Sequence, residues 1–106
     1  MGKGKTLRQD EAIELVRQYK NVITPRFDER TRVYLFGSYS KGYANPDSDI
    51  DVAVVVPKIE EGKWFEWAKS LWHDVGQVSF LIEPVLLEQN ETSPLYRDVM
   101  LTGIAV

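Results

Sequence analysis

The sequence predicts an α/β (α+β) fold in which a small mixed β-sheet packs against helices. Three observations predict it. Segments with helical spacing of apolar residues alternate with short β-branched segments along the chain. A glycine or a proline marks the end of most segments. The chain has 106 residues, of which 43% are hydrophobic, so we expect one domain, residues 1–106, with its own core.

The N-terminal part of the chain predicts a helix. Residues 6–9, Thr-Leu-Arg-Gln, match a capping box that opens a helix, and Pro25 is expected to end it. The apolar residues between these points recur at helical spacing and form one stripe: Ala12, Leu15, Val16, Tyr19, Val22 and Ile23.

Two strands and a short helix are predicted in the middle of the chain. Residues 31–36 are rich in β-branched and aromatic residues, which predicts a strand. Residues 38–43 are expected to form a short helix that Ser38 caps. Residues 45–47, Asn-Pro-Asp, predict a turn, and residues 49–56 predict the second strand.

The C-terminal half predicts two further helices and two further strands. Residues 63–75 predict a helix with one apolar face that is expected to lie in the core: Trp64, Trp67, Ala68, Leu71, Trp72 and Val75. Residues 78–87 predict a third strand, in which Pro84 requires an edge position or a bulge. A last helix is predicted from Ser93-Pro94 to Gly103, followed by a short strand over residues 104–106.

Charge and composition exclude several classes of function. Thirteen basic and 16 acidic residues give a net charge of −3, whereas general nucleic-acid binding needs a basic face. The absence of cysteine excludes disulfides, thiolate nucleophiles and cysteine-based zinc sites, and a single histidine excludes a multi-histidine metal site. The longest hydrophobic run, residues 52–56, is too short for a membrane span, and residues 1–10 lack the apolar segment of a signal peptide. We therefore expect a cytoplasmic protein without a membrane partner.

The strongest functional signal lies in residues 37–51, Gly-Ser-Tyr-Ser-Lys-Gly-Tyr-Ala-Asn-Pro-Asp-Ser-Asp-Ile-Asp. Because side chains alternate along a strand, Asp49 and Asp51 are predicted to share one face, about 6.6 Å apart. At an effective dielectric constant of about 20, their mutual repulsion amounts to about 2.5 kcal/mol. A divalent cation between the two carboxylates would turn this cost into a binding site, and hard oxygen ligands suit Mg²⁺.

The glycine-serine pair complements these carboxylates. Gly37 permits the backbone to approach a ligand closely, and Ser38 at a helix N-terminus presents a hydroxyl and N–H groups to an anion. An anion cradle that faces a carboxylate–metal pair suits a nucleoside triphosphate, whose reactions depend on charge neutralisation and positioning. The alternative interpretation is a surface loop whose acidic residues cap a strand.

This pattern resembles the signature of the DNA polymerase β-like nucleotidyltransferase superfamily, which has glycine-serine, a spacer of about ten residues, and Asp-x-Asp. Gly37-Ser38, residues 39–48 and Asp49-Ile50-Asp51 match it in order. The short chain and the Lys41-Gly42 pair within the spacer resemble the minimal nucleotidyltransferase (MNT) branch. The resemblance covers nearly the whole chain and implies the nucleotidyltransferase fold.

The resemblance also implies roles for individual residues. The implied nucleotide-binding residues are Gly37, Ser38, Lys41 and Asp49, and the implied catalytic and metal-binding residues are Asp49, Asp51 and Glu83. Glu83 is the candidate for a third carboxylate on a later strand, although the family usually has aspartate there. Glu88 is a poorer candidate because it follows the strand.

The activity implied by the resemblance is transfer of a nucleoside monophosphate, AMP from ATP, to an acceptor hydroxyl at a site with two Mg²⁺ ions. In the antitoxin-type members the acceptor belongs to a helical HEPN-domain toxin. Two alternatives stay open: a non-catalytic nucleotide-binding subunit that neutralises its partner by complex formation, and transfer to a small molecule such as an aminoglycoside. Because the chain has no added domain to hold an acceptor, we expect a HEPN-type partner or a homo-oligomer.

Overall fold

The computed structural model describes residues 5–106 and contains a four-stranded mixed sheet. The strands are β1 (Arg32–Phe36), β2 (Ile50–Val56), β3 (Ile82–Glu88) and β4 (Ile104–Ala105), and they lie in the order β3-β2-β1-β4. β1 is antiparallel to both β2 and β4, whereas β2 and β3 are parallel. The predicted fold class is therefore confirmed.

The helices follow the predicted order along the chain. They are α1 (Gln9–Ile23), α2 (Ser38–Lys41), α3 (Trp64–Asp74) and α4 (Pro94–Thr102). Short 3₁₀ turns, Thr24–Arg26 and Val75–Gln77, follow α1 and α3. α3 forms the crossover that parallel neighbours such as β2 and β3 require. Within the described residues, no helix has the length and apolar character needed to cross a membrane.

Helices cover both faces of the sheet. α1 and α3 pack on one face, where the larger core includes Ala12, Val16, Tyr19, Leu35, Ile50, Val52, Val54, Leu71 and Ile82. α4 packs on the other face, where the smaller core comprises Phe36, Ala53, Val55, Leu87 and Val99. Because side chains alternate along β2, Asp51 belongs to the face that carries α4.

The start of α1 differs from the prediction. The helix begins at Gln9, and its N-cap is Arg8 rather than Thr6. The backbone N–H of Arg8 donates to Oε1 of Glu11 at 2.8 Å, which is the reciprocal bond of a capping box. The predicted capping box over residues 6–9 was therefore wrong, because the glutamate that completes such a box lies two residues further on.

The start of β3 also differs from the prediction. The chain continues as a 3₁₀ turn after α3, and the N–H of Ser79 donates to the carbonyl of Val75 at 3.0 Å. The strand consequently begins at Ile82 instead of residue 78. Pro84 lies in an edge strand, as predicted, and it stays in register with Val52, so that β3 has no bulge at this point.

The prediction for the aromatic face of α3 was partly wrong. Leu71 and Val75 are buried, and the ring of Trp67 packs edge-on against Phe27 with 5.7 Å between centroids. Trp64 and Trp72, however, are more than half exposed. Neighbouring helical residues point about 100° apart, so Trp72 points to the side of the helix when Leu71 faces the sheet. Trp64 is nearly in line with Leu71 but is the first residue of α3.

A buried carboxylate at the end of α3 was not predicted. Asp74 is buried, forms an ion pair with the guanidinium of Arg26, and accepts a 3.2 Å hydrogen bond from the side chain of Gln77. The hydroxyl of Tyr19 donates to the carbonyl of Leu71 at 2.7 Å. Burial, and to a smaller extent the negative charge of Asp74, raises the pKa of Tyr19 well above its usual range.

The raised pKa of Tyr19 predicts a loss of stability at high pH. Because the folded-state pKa exceeds the unfolded value of about 10, the contribution of Tyr19 to stability is fully present below pH ~10. It is lost as the pH rises from there towards the folded pKa. We expect Tyr19→Phe to be less stable by about 1 kcal/mol at pH ~7, since it lacks the hydrogen bond, yet to lose less stability above pH ~10.

Urea unfolding of both proteins across this pH range measures the effect. Tyr43→Phe is the matched control, because Tyr43 is exposed and its substitution should leave the pH dependence unchanged. Parallel stability curves for Tyr19→Phe and the unsubstituted protein above pH ~10 would contradict the argument.

Candidate active site

The two halves of the predicted motif meet at one edge of the sheet. β1 ends at Phe36, which pairs with Asp51 in the antiparallel register of β1 and β2. Gly37 and α2 follow β1 directly, and Asp49 directly precedes β2. The glycine-serine turn and both aspartates therefore lie where β1 ends and β2 begins.

The conformation of Gly37 is fixed by two constraints. Its φ of 77° lies in the left-handed region that favours glycine. A Cβ at this position would lie 2.1 Å from Oδ2 and 3.0 Å from Cγ of Asp51, which is closer than non-bonded atoms approach. The sequence predicted a close approach of the Gly37 backbone to a ligand, and the group that it approaches in the structure is the Asp51 carboxylate.

Hydrogen bonds close the turn around Ser38. The hydroxyl of Ser40 and the N–H of Lys41 both donate to the carbonyl of Gly37, at 3.0 and 3.1 Å. The N–H of Tyr43 donates to the carbonyl of Ser38 at 3.1 Å. These bonds hold Ser38 at the start of α2, where first-turn N–H groups have no acceptor within the helix.

The turn before β2 has the predicted position. The N–H of Asp47 donates to Oδ1 of Asn45 at 2.8 Å, and the N–H of Asn45 donates to the hydroxyl of Ser48 at 2.9 Å. The N–H of Ile50 then donates to the carbonyl of Leu81 at 2.8 Å, which starts the pairing with β3. Asp49 is thus held between an ordered turn and a paired strand.

Glu83 lies beside Asp51 in the sheet. The parallel register of β2 and β3 pairs these two residues, and adjacent strands lie about 4.8 Å apart. Alternation along β3 places Glu83 on the same face as Val85 and Leu87, the face that carries α4. Asp49, Asp51 and Glu83 are all half-buried. The structure therefore brings the predicted carboxylates to one edge of the sheet.

The carboxylates do not form an all-protein metal cage. Among residues 5–106, no three acidic or histidine side chains are grouped so that they could hold a metal ion. Mg²⁺ seldom uses such a cage, because it keeps several waters and takes one or two carboxylates together with substrate phosphates. The Asp49–Asp51 pair fits this mode of binding, whereas the role of Glu83 as a third ligand stays a prediction.

Lys41 has a partner that the sequence did not reveal. Its Nζ lies 3.1 Å from Oδ2 of Asp98 on α4. The hydroxyl of Thr102 donates to Oδ1 of the same aspartate at 3.3 Å. α2 ends at Lys41 rather than at Tyr43, because Gly42 adopts the left-handed conformation. Lys41 and Asp98 are 57 residues apart in the chain, so no local sequence pattern predicts their contact. The predicted contact of Lys41 with a nucleotide stays a prediction.

The chain is similar in sequence to known proteins. A model of the nucleotidyltransferase domain family matches residues 16–100. A protein of Methanocaldococcus jannaschii that carries the name protein adenylyltransferase is 30% identical over 103 residues, which cover 91% of this chain and 99% of that one.

Two solved structures resemble the fold. A nucleotidyltransferase of Sulfolobus solfataricus has a TM-score of 0.60 and 22% identity, with 98% of this chain and 90% of that one covered. A toxin–antitoxin structure with AMP-PNP has a TM-score of 0.50 and 26% identity, with 93% of this chain and 72% of that one covered.

The close contact at Gly37 predicts an unequal response of two glycines to the same substitution. Gly37 and Gly62 both have a φ of 77°, but a Cβ at Gly62 would meet no atom within 4 Å. We expect Gly62→Ala to cost about 1 kcal/mol of stability, and Gly37→Ala to cost at least about 1 kcal/mol more. The extra cost has two sources, because the methyl group must displace the Asp51 carboxylate and because the ψ of −150° at Gly37, together with its positive φ, lies in a region that is essentially restricted to glycine.

Urea unfolding of the two variants measures the difference. Repeating Gly37→Ala in an Asp51→Ala background separates the two sources, because removal of the carboxylate should recover the steric part of the extra cost and leave the backbone part. Equal costs for Gly37→Ala and Gly62→Ala would show that the carboxylate does not constrain this turn.

Proposed function

The chain belongs to the nucleotidyltransferase domain family, and on that premise we propose that it is a Mg²⁺-dependent adenylyltransferase that transfers AMP from ATP to a hydroxyl of a partner protein. The main support is the contact between the Gly37 backbone and the Asp51 carboxylate. It brings an anion-binding turn and a carboxylate pair to one edge of the sheet, as phosphoryl-group chemistry requires.

Different residues at this edge would bind the metal ion and the phosphates of the nucleotide. Asp49 and Asp51 would hold Mg²⁺, which when bound neutralises negative charge on the reacting phosphates. The hydroxyl of Ser38 and the N–H groups after Gly37 bind the terminal phosphates. Lys41 adds a positive charge to the same turn, and Asp98 holds its ammonium group 3.1 Å away.

Glu83 acts as the proton acceptor in the proposed reaction. The acceptor oxygen forms a bond to the α-phosphorus of ATP, and the bond from this phosphorus to the bridging oxygen breaks, so that pyrophosphate leaves. The proton of the acceptor hydroxyl goes to the Glu83 carboxylate. A base needs to lie within hydrogen-bond reach of that proton, and pairing with Asp51 places Glu83 beside the proposed metal-binding residues.

The proposed acceptor is a hydroxyl of a HEPN-type toxin, so that the chain acts as an antitoxin. Two similarities support it. The Methanocaldococcus jannaschii relative carries the name protein adenylyltransferase, and a toxin–antitoxin structure contains AMP-PNP.

Transfer of label from α-labelled ATP tests the proposal. With Mg²⁺ and a co-expressed HEPN-type partner, we expect label on the partner, and Asp51→Asn to lower the transfer rate by about 10²-fold or more. Asp47→Asn is the matched control, because Asp47 is an exposed aspartate of the adjacent turn, and its rate should stay unchanged. Mass spectrometry then identifies the modified residue.

Two outcomes would contradict the proposal. Complex formation that needs nucleotide but transfers no label would identify a non-catalytic binding subunit. Equal transfer rates for Asp51→Asn and Asp47→Asn would show that Asp51 has no role in catalysis.

The role of Glu83 predicts a change in rate. We expect Glu83→Gln to lower the transfer rate by about 10²-fold or more, because the amide cannot accept the proton. Glu60→Gln, an exposed glutamate outside the site, serves as the control and should keep the unsubstituted rate. Equal transfer rates for Glu83→Gln and Glu60→Gln would exclude Glu83 as the base.

A further inference from the structure

The ion pair of Lys41 joins two elements that are far apart in the chain. Its Nζ lies 3.1 Å from Oδ2 of Asp98, which follows 57 residues later. The pair of Arg30 with Asp28, by contrast, joins residues two positions apart, and its side chains are 71% and 42% exposed. The side chains of Lys41 and Asp98 are 30% and 37% exposed. The Lys41 pair is therefore the less exposed of the two, and it connects α2 to α4.

The carboxylate of Asp98 is held in place by its own helix. Asp98 lies in the middle of α4, next to Val99, which is fully buried, and the side chain of Ser93 caps the start of the helix. The hydroxyl of Thr102 donates to Oδ1 of Asp98 at 3.3 Å. Both carboxylate oxygens therefore have a partner, one on α4 itself and the other the ammonium group of Lys41.

Lys41 has a fixed backbone and a flexible side chain. Its N–H donates to the carbonyl of Gly37 at 3.1 Å, and Gly42 follows it in the left-handed conformation that ends α2. A lysine side chain is long and loses much rotational freedom when a ligand fixes its ammonium group. An ion pair that already restrains the side chain removes part of this cost before the ligand binds.

The ion pair also directs the ammonium group to one face of the sheet. α4 packs on the face to which Asp51 and Glu83 belong. Because Asp98 is part of α4, the ammonium group that it holds lies on this side of the sheet. An unpaired lysine at the end of α2 would extend its charge into solvent instead.

The ion pair contributes more to the position of a charge than to folding stability. Water and salt screen a partly exposed pair, and the loss of side-chain entropy offsets much of its attraction. Lysine binds phosphate as a point charge, so its effect on a phosphate depends directly on the distance of the ammonium group. A nucleotide at the Gly37-Ser38 turn is therefore more sensitive to the pair than the fold is.

We propose that Asp98 is a positioning residue for Lys41, which it holds on the α4 side of the sheet for contact with the terminal phosphates of a nucleoside triphosphate. The inference rests on the proposed function, because it requires a nucleotide at the Gly37-Ser38 turn. An ammonium group has several N–H donors, so Lys41 keeps its bond to Asp98 while it binds a phosphate oxygen. Asp98 acts through Lys41 and touches neither the nucleotide nor the metal ion.

Calorimetric titration of the full chain with ATP and with AMP, each with Mg²⁺ and without a partner protein, tests the inference. We expect Asp98→Asn to weaken the binding of ATP about fivefold, the cost of ordering one long side chain at binding. AMP lacks the terminal phosphates, so its binding should stay unchanged. A general disturbance of the site would weaken the binding of both nucleotides.

A double-substitution cycle tests whether Asp98 acts through Lys41. We expect Lys41→Gln to weaken the binding of ATP at least as much as Asp98→Asn does. In the Lys41→Gln background, Asp98→Asn should have no further effect. Asp98→Glu keeps the negative charge and should retain most of the affinity for ATP.

Asp28→Asn is the matched control for the loss of an ion pair. Asp28 also pairs with a cation, Arg30, but it precedes β1, whereas Gly37 follows this strand. The affinity of Asp28→Asn for ATP should equal that of the unsubstituted chain. Circular dichroism and urea unfolding establish that each variant folds.

Any of three results would overturn the inference. Unchanged binding of ATP by Asp98→Asn would show that Lys41 needs no positioning. Tighter binding would show that Asp98 competes with the phosphates for the ammonium group. A loss of affinity that is equally large in the Lys41→Gln background would show that Asp98 acts on the nucleotide or the metal ion directly.

Failure of the proposed function gives a different result. ATP binding that depends on Asp98, without transfer of label to a partner, would contradict the adenylyltransferase activity and leave the role of Asp98 intact. Transfer of label with no dependence of ATP binding on Asp98 would contradict the positioning role alone. An unsubstituted chain that does not bind ATP would contradict both.

Discussion

The contact between the Gly37 backbone and the Asp51 carboxylate is the constraint on which the rest of the site depends. Antiparallel pairing of Phe36 with Asp51 brings the end of β1 beside the start of β2. The chain can leave β1 there only with a left-handed φ and without a side chain. The spacer therefore has a geometric role, because α2 and the turn at Asn45 return the chain to β2 with both aspartates beside the Gly37-Ser38 turn.

The two faces of the sheet differ in the size of the core that they carry. The face under α1 and α3 carries the larger core and contains buried residues from three strands. The other face carries a smaller core under α4, and at its edge the apolar residues give way to Asp51 and Glu83. The ion pair of Lys41 with Asp98 connects α4 to the turn that carries Ser38.

Local patterns predicted the sheet and the motif but not the contacts between distant residues. The β-branched run of β2 and the aspartates before it are consecutive in sequence, so the strand and the predicted site could be read together. The periodicity of α3 correctly predicted that one side of the helix is apolar. It does not show how much of that side the sheet covers, so the predicted burial of Trp64 and Trp72 was wrong. The burial of Asp74 and the ion pair of Lys41 depend on residues from other helices and turns. The spacing of residues within one segment does not predict such contacts.

The presence of glutamate instead of aspartate at position 83 is consistent with a role as base rather than as a third metal ligand. A glutamate has one more methylene and one more rotatable bond than aspartate, so fixing it in a rigid coordination shell costs more side-chain entropy. The same freedom helps a group that has to meet a hydroxyl carried by another protein. Within the described chain the three carboxylates do not converge on one point, and β3 runs through Pro84 without a bulge that would redirect the side chain. In the proposed reaction Asp49 and Asp51 would therefore bind the metal together with the phosphates, and Glu83 would take the proton.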